Sequence, residues 1–120
     1  MKGTDHVVWG VVYEPCNAGE VCKTDTQGDF IRPDELRSVA RDYLANERGI
    51  GTHHEKELRP SEATPVESFI APVDMVVDGE HIKKGSWVLF TELNDALWKR
   101  VQSGELGAYS IDGTGVRVNA

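Results

Sequence analysis

Gly104-Glu105-Leu106-Gly107-Ala108-Tyr109-Ser110-Ile111-Asp112-Gly113 is the stretch whose reading decides what this chain is. Small residues crowd one hydroxyl, with Gly107 and Ala108 ahead of Ser110 and Gly113 just beyond it. In an extended strand successive side chains point to opposite faces. Tyr109 and Ile111 then face a core, and Ser110 faces the other way, toward solvent or a cleft. The flanking glycines let the backbone bend sharply and let another segment come close. This pattern suits a nucleophilic serine. It suits equally an ordinary strand ending in a turn, which is the commoner case, so the rest of the chain has to decide.

Working back from that strand, Asn94 is a good N-cap for a short helix that carries Leu97, Trp98 and Val101 inward and ends at Gly104. Ser86 to Leu93 is a strong strand, and Met75 to Val77, Asp78-Gly79 and His81-Ile82 form a hairpin signature. Thr64 to Ala71 is another strand, with Pro65 marking its start or a sheet edge. Alternation puts Val66, Ser68 and Ile70 on one of its faces and Glu67 and Phe69 on the other. Ahead of a polar loop from Lys56 to Ala63, Ile50 to Glu55 reads as a short strand carrying His53 and His54.

Pro33 opens a helix, with Asp34 and Glu35 favourable in its first turn. Leu36, Val39, Ala40, Tyr43 and Leu44 form one apolar stripe along it, and Gly49 stands where a left-handed cap would fall. From His6 to Tyr13 the residues are β-branched and aromatic, a strand buried on both faces, and Glu14 to Arg32 is a loop. Beyond Ser110, a turn at Gly113-Thr114-Gly115 leads to a last strand, Val116 to Val118. The sum is an α+β, mostly β fold in a single domain over residues 1–120. Its strands are expected to curl into a small, closed or partly open β-barrel with two or more flanking helices.

Composition narrows the function. The 120 residues are 39% hydrophobic and 28% charged, which reads as globular. A formal net charge of −7 repels a phosphate backbone, and Lys83-Lys84 and Lys99-Arg100 are too small to form a basic stripe, so no nucleic acid is expected as a partner. No apolar run approaches a membrane span, and no signal-peptide h-region opens the chain, so no membrane is expected either. Cys16 and Cys22 lie in a polar loop without a second pair, and two reduced thiols are expected.

Serine is a poor nucleophile at neutral pH unless a base takes its proton during attack, and histidine suits that task. The chain offers His6, His53, His54 and His81. His6 sits at a strand start and His81 beside a hairpin turn, positions typical of surface residues. His53 and His54 would face opposite ways on a strand, so only one of them can point where Ser110 points. The same divergence, with no ligand set at familiar spacing, argues against metal, and no cofactor is called for. A third polar group usually orients the imidazole. Glu67 is a candidate if its strand lies beside that of His54, and Asp112 is another; a solvent-facing strand glutamate and a turn aspartate are the ordinary accounts of both.

At this point the residues carry a family resemblance. Val8-Trp9-Gly10-Val11-Val12-Tyr13-Glu14-Pro15, Asp25-Thr26-Gln27-Gly28-Asp29, Ile50-Gly51-Thr52-His53-His54, Val66-Glu67-Ser68-Phe69-Ile70-Ala71-Pro72, Lys83-Lys84-Gly85-Ser86-Trp87-Val88 and Gly104 to Ile111 occur in order through most of the chain. Together they resemble the XkdF-like serine proteases of tailed phages, in the prohead maturation protease group. The resemblance implies a fold similar to that of the herpesvirus maturation proteases, with His54 as base and Ser110 as nucleophile. Glu67 matches a recurring family residue. Ala108 and Asp112 depart from the pattern, which usually has glycine at both positions, and Cys16 to Cys22 looks like an insertion.

The function so implied is a serine endopeptidase that cleaves phage major capsid and scaffold proteins during procapsid maturation. It would work in the host cytoplasm, inside the assembling procapsid, and similarity to the herpesvirus enzymes is compatible with a homodimer. Ser110 would attack the peptide carbonyl, His54 would act as base and then acid, and water would resolve an acyl-enzyme. Backbone N–H groups near Gly113 or Gly115, or the Arg117 side chain, are candidates to hold the oxyanion. The competing class is a non-catalytic β-barrel module that binds capsid or scaffold proteins during assembly, and it is favoured by Ala108 and Asp112.

Overall fold

The structure, a computed structural model, describes residues 1–15, 31–52, 57–112 and 115–119. In chain order its elements are β1 (Lys2–Thr4), β2 (Val7–Tyr13), α1 (Pro33–Asp42) continued by a single π turn (Tyr43–Glu47), β3 (Ile50–Thr52), β4 (Ala63–Ile70), β5 (Met75–Val77), β6 (Glu80–Ile82), β7 (Trp87–Leu93), α2 (Asp95–Gln102), β8 (Ala108–Asp112) and β9 (Gly115–Asn119). The architecture is mostly β with two α-helices, as expected.

One sheet runs β1-β2-β7-β4, with β7 pairing antiparallel to β2 on one side and to β4 on the other. Its inner face supplies Val8, Val12, Trp87, Leu89 and Leu93 to the main core, together with Leu36, Ala40 and Tyr43 of the first helix and its π turn. Trp87 is fully buried; its indole N–H donates to Ser68 Oγ at 2.9 Å and its ring meets Tyr43 edge-on at 5.4 Å. Such a pairing satisfies the one polar atom that burial of a tryptophan would otherwise strand. The outer face buries Trp9, Val88, Ala71 and Ile82 in a second cluster, beneath the β5–β6 hairpin. The apolar run in β2 is thus buried on both faces, as its composition predicts.

The second sheet runs β3-β9-β8, with β3 parallel to β9 and β8 antiparallel to it. Its core face adds Ile50, Tyr109, Val116 and Val118 to the main core. Among the described residues no ladder joins this sheet to the four-stranded one, so the expected barrel is not closed by hydrogen bonds. Instead β8 packs across β2: a Cβ on Gly10 would stand only 3.3 Å from the Tyr109 ring, so glycine is what permits the close crossing. β3 approaches β4 without pairing to it.

Local chemistry explains most elements. Asn94 caps α2, its Oδ1 accepting from the Leu97 N–H at 3.0 Å. Asp78 (φ 50°) and Gly79 (φ 79°) make the two-residue turn of the β5–β6 hairpin, the left-handed pair such a turn requires.

Three expectations are corrected. The helix stripe ends in the π turn, whose wider Arg48 N–H to Tyr43 carbonyl bond of 2.8 Å puts Arg48, not Gly49, in the left-handed cap (φ 56°). A bulge between Pro65 and Glu67 adds one residue to β4, so Val66 turns outward (47% exposed) instead of sharing a face with Ser68 and Ile70. His6 does not begin a strand: with φ 70°, beside Asp5 at φ 51°, it forms the turn between β1 and β2. β1 itself carries no apolar signal and exists because it pairs with β2.

Candidate functional site

Register in the three-stranded sheet sets the site. Ser110 stands opposite Arg117, which stands opposite Gly51; Tyr109 stands opposite Val118, which stands opposite Thr52. Paired residues share a face, so Tyr109, Val118, Thr52, Val116 and Ile50 line the core, and all are buried. Ser110, Arg117, Asn119 and Gly51 share the opposite face. Ser110 is half-buried there, facing away from the core as the alternation around it predicts.

Ser110 Oγ accepts a hydrogen bond from Asn119 Nδ2 at 2.7 Å. The other amide atom, Asn119 Oδ1, is buried with no hydrogen-bond partner among the described residues. The Asn119 main chain is fixed: its carbonyl accepts from the Gly107 N–H at 2.6 Å, in register with Ala108. The Arg117 side chain crosses directly over Gly51, where a Cβ would lie 2.9 Å from Cζ and 3.1 Å from Cδ. Glycine at 51 is therefore what lets a cation lie across this face.

On the core side of the same strand, the Tyr109 hydroxyl lies 2.6 Å from Thr91 Oγ1 in a buried pair. Burial pushes the Tyr109 phenol above the ordinary tyrosine range, with the Thr91 hydrogen bond opposing the shift. Tyr43 is raised in the same direction by burial, with the Arg48 charge opposing and Glu57 adding to the rise; its hydroxyl donates to the Gly49 carbonyl at 3.0 Å.

The other expected site residues are placed as follows. His53, His54, Cys16 and Cys22 lie outside the described residues. The strand that leads to the histidines, β3, is held from both sides: β9 pairs with it, Gly51 bridges Glu57, and the Leu58 N–H donates to the Ile50 carbonyl at 2.8 Å. Glu67 is exposed on β4, in the other sheet, opposite Phe90. It makes no hydrogen bond or ion pair among the described residues, and it is not brought to Ser110 by any ladder.

His6 has Nε2 2.7 Å from Asp95 Oδ1 and stacks on Trp98 at 5.5 Å, tying the β1–β2 turn to α2; His81 is exposed. No three His, Cys, Asp or Glu side chains among the described residues are grouped to hold a metal ion. Asn119 is the residue that sequence reasoning missed. Ending the last strand at Val118 left it out, and its signal was the two-residue period that puts 115, 117 and 119 on one face.

The described face thus presents one half-buried serine hydrogen-bonded to an amide, with a guanidinium lying over β3 on the far side of β9. Residues 1–119 match the family described as "Putative phage serine protease XkdF", and the chain belongs to that family. It is 37% identical over 108 residues to the phage-like element PBSX protein XkdF of Bacillus subtilis (strain 168), a match covering 90% of this chain and 36% of that protein. It is 38% identical over 108 residues to the uncharacterized protein YqbD of the same strain, covering 90% of this chain and 31% of that one. The chain thus spans about a third of the length of the curated relatives it matches. No solved structure matches it significantly.

Proposed function

We propose that this domain is a serine endopeptidase of phage heads, with Ser110 as nucleophile and His54 as general base. The observation that carries the proposal is the presentation of Ser110. The family match covers residues 1–119 of the chain, and the Ser110 hydroxyl stands on the face away from the core, hydrogen-bonded to Asn119. His54 is carried over from the family pattern, on the segment that follows β3, two strand spacings of about 4.8 Å from β8. Glu67 is the proposed orienting carboxylate on the family pattern alone, since β4 lies in the other sheet and does not pair with β3. The substrates proposed are the major capsid and scaffold proteins, cut inside the assembling procapsid in the host cytoplasm. The fold proposed is that of the herpesvirus maturation proteases, with facing sheets in place of a laddered barrel.

A serine-reactive fluorophosphonate tests this directly. Labelling is expected at Ser110, lost in Ser110→Ala and in His54→Ala; loss in His53→Ala instead would reverse the assignment of the two histidines. Glu67→Gln is expected to slow labelling about tenfold, and an unchanged rate would remove Glu67 from the site.

A second reading has its own support. Val66 (47% exposed), Phe69 (38%), Val73 (56%) and Val76 (59%) are large apolar side chains left open to solvent. A non-catalytic module that binds capsid or scaffold proteins would use such residues. Scaffold binding that survives Ser110→Ala and fails on Phe69 and Val76 substitution, with wild-type protein unlabelled, would favour it.

A further inference from the structure

We infer that Asn119 is the positioning residue of the Ser110 nucleophile, an inference that rests on the reading of Ser110 given above. The carboxamide Nδ2 donates to Ser110 Oγ at 2.7 Å, so it occupies a lone pair of that oxygen and leaves the serine proton pointing elsewhere, free for a base. As the proton leaves, negative charge gathers on Oγ, and a hydrogen bond to an ionised oxygen is stronger than one to a neutral hydroxyl. The amide therefore stabilises the reacting oxygen more than the resting one, which is what accelerates a reaction. It serves again when the acyl bond breaks and Oγ departs as the leaving group.

Two further observations set Asn119 apart from an ordinary strand residue. Its main chain is pinned by the 2.6 Å bond from Gly107, so the amide cannot drift from the serine by strand fraying. Its Oδ1 is buried without a partner among the described residues, a cost that a hydroxyl or a small apolar side chain would avoid. Rotated the other way, the amide would instead accept the Ser110 proton and hold it from the base, and the two orientations give opposite results on substitution.

The test is the rate of fluorophosphonate labelling, in which the Ser110 Oγ–P bond forms, the P–F bond breaks, fluoride leaves and the serine proton passes to the base. Wild type, Asn119→Ala and Asn119→Asp are compared, with melting temperature read on each. Asn119→Ala is expected to label about tenfold more slowly, the loss of one hydrogen bond to a developing charge. Asn119→Asp keeps the shape, so it guards against a folding artefact, yet it sets a carboxylate beside the forming alkoxide and is expected to be slower still. A purely structural role predicts the reverse order, with the isosteric aspartate nearer to wild type. Asn119→Ala labelling as fast as wild type, or faster, overturns the inference while leaving Ser110 as nucleophile. A folded wild type that does not label overturns the nucleophile itself, and this inference with it.

Discussion

Tyr109 and Ser110 are neighbours on one strand, and each carries a hydroxyl paired to a side chain, but on opposite faces of the sheet. On the core face the pair with Thr91 is closed: both oxygens are buried, each is the other's partner, and the phenol is held neutral well into the alkaline range. On the other face the pair with Asn119 is open: Ser110 is half-buried, and the amide oxygen has no partner among the described residues. A single residue step therefore separates a hydroxyl used for stability from one available for chemistry. The pleat of the strand performs the separation, because it changes solvent, dielectric and partner together.

The comparison breaks most sharply at the serine. Ser110→Ala is expected to abolish labelling while changing stability by less than about 1 kcal/mol, since a half-exposed hydroxyl contributes little to the fold. Denaturant melts beside labelling assays decide it, and a large stability loss would mean that the two hydroxyls do the same job. Tyr109→Phe should show the converse. It strands the Thr91 hydroxyl, which is fully buried, at a cost of about 1–3 kcal/mol, with labelling of Ser110 within about twofold of wild type. Adding Thr91→Val removes the stranded group and should recover much of that loss.

Alkaline titration sharpens the same contrast. The unfolded chain releases its tyrosine protons near about pH 10, whereas the folded protein retains them at Tyr109 and Tyr43. The unfolded state then binds fewer protons, so stability is complete below that pH and falls as pH rises above it. The limiting slope is about 1.4 kcal/mol per pH unit for each tyrosine; Tyr109→Phe should halve it, as urea midpoints against pH would report. The smallest effect is expected from Gly51→Ala, whose methyl group would push the Arg117 side chain off this face. Labelling should slow roughly threefold, the scale of one solvent-screened charge.

Much of this was legible in the sequence wherever local chemistry decides. The Asn94 cap, the Asp78-Gly79 turn, the α1 stripe and the inward facing of Tyr109 follow from the residues themselves. What was not legible depends on partners far along the chain. The bulge at Val66 arises from pairing with β7, β1 exists only as an addition to β2, and the parallel pairing of β3 with β9 leaves no local mark. The site divides in the same way. Ser110 announced itself through its glycines and aromatic neighbour, whereas Asn119 acquires meaning only when β9 folds back on β8. A barrel was expected from the strand count, but closure depends on ladders that strand count does not specify.

The parallel pairing of β3 with β9 has a bearing on timing. A ribosome delivers the chain from its N-terminus, and pairings between distant segments form last. β3 leaves the exit tunnel with no strand to lie against until everything from β4 to β8 has followed and β9 emerges. The strand of Ser110 and β3 therefore become one sheet only after β9, the strand of Asn119, is available to sit between them.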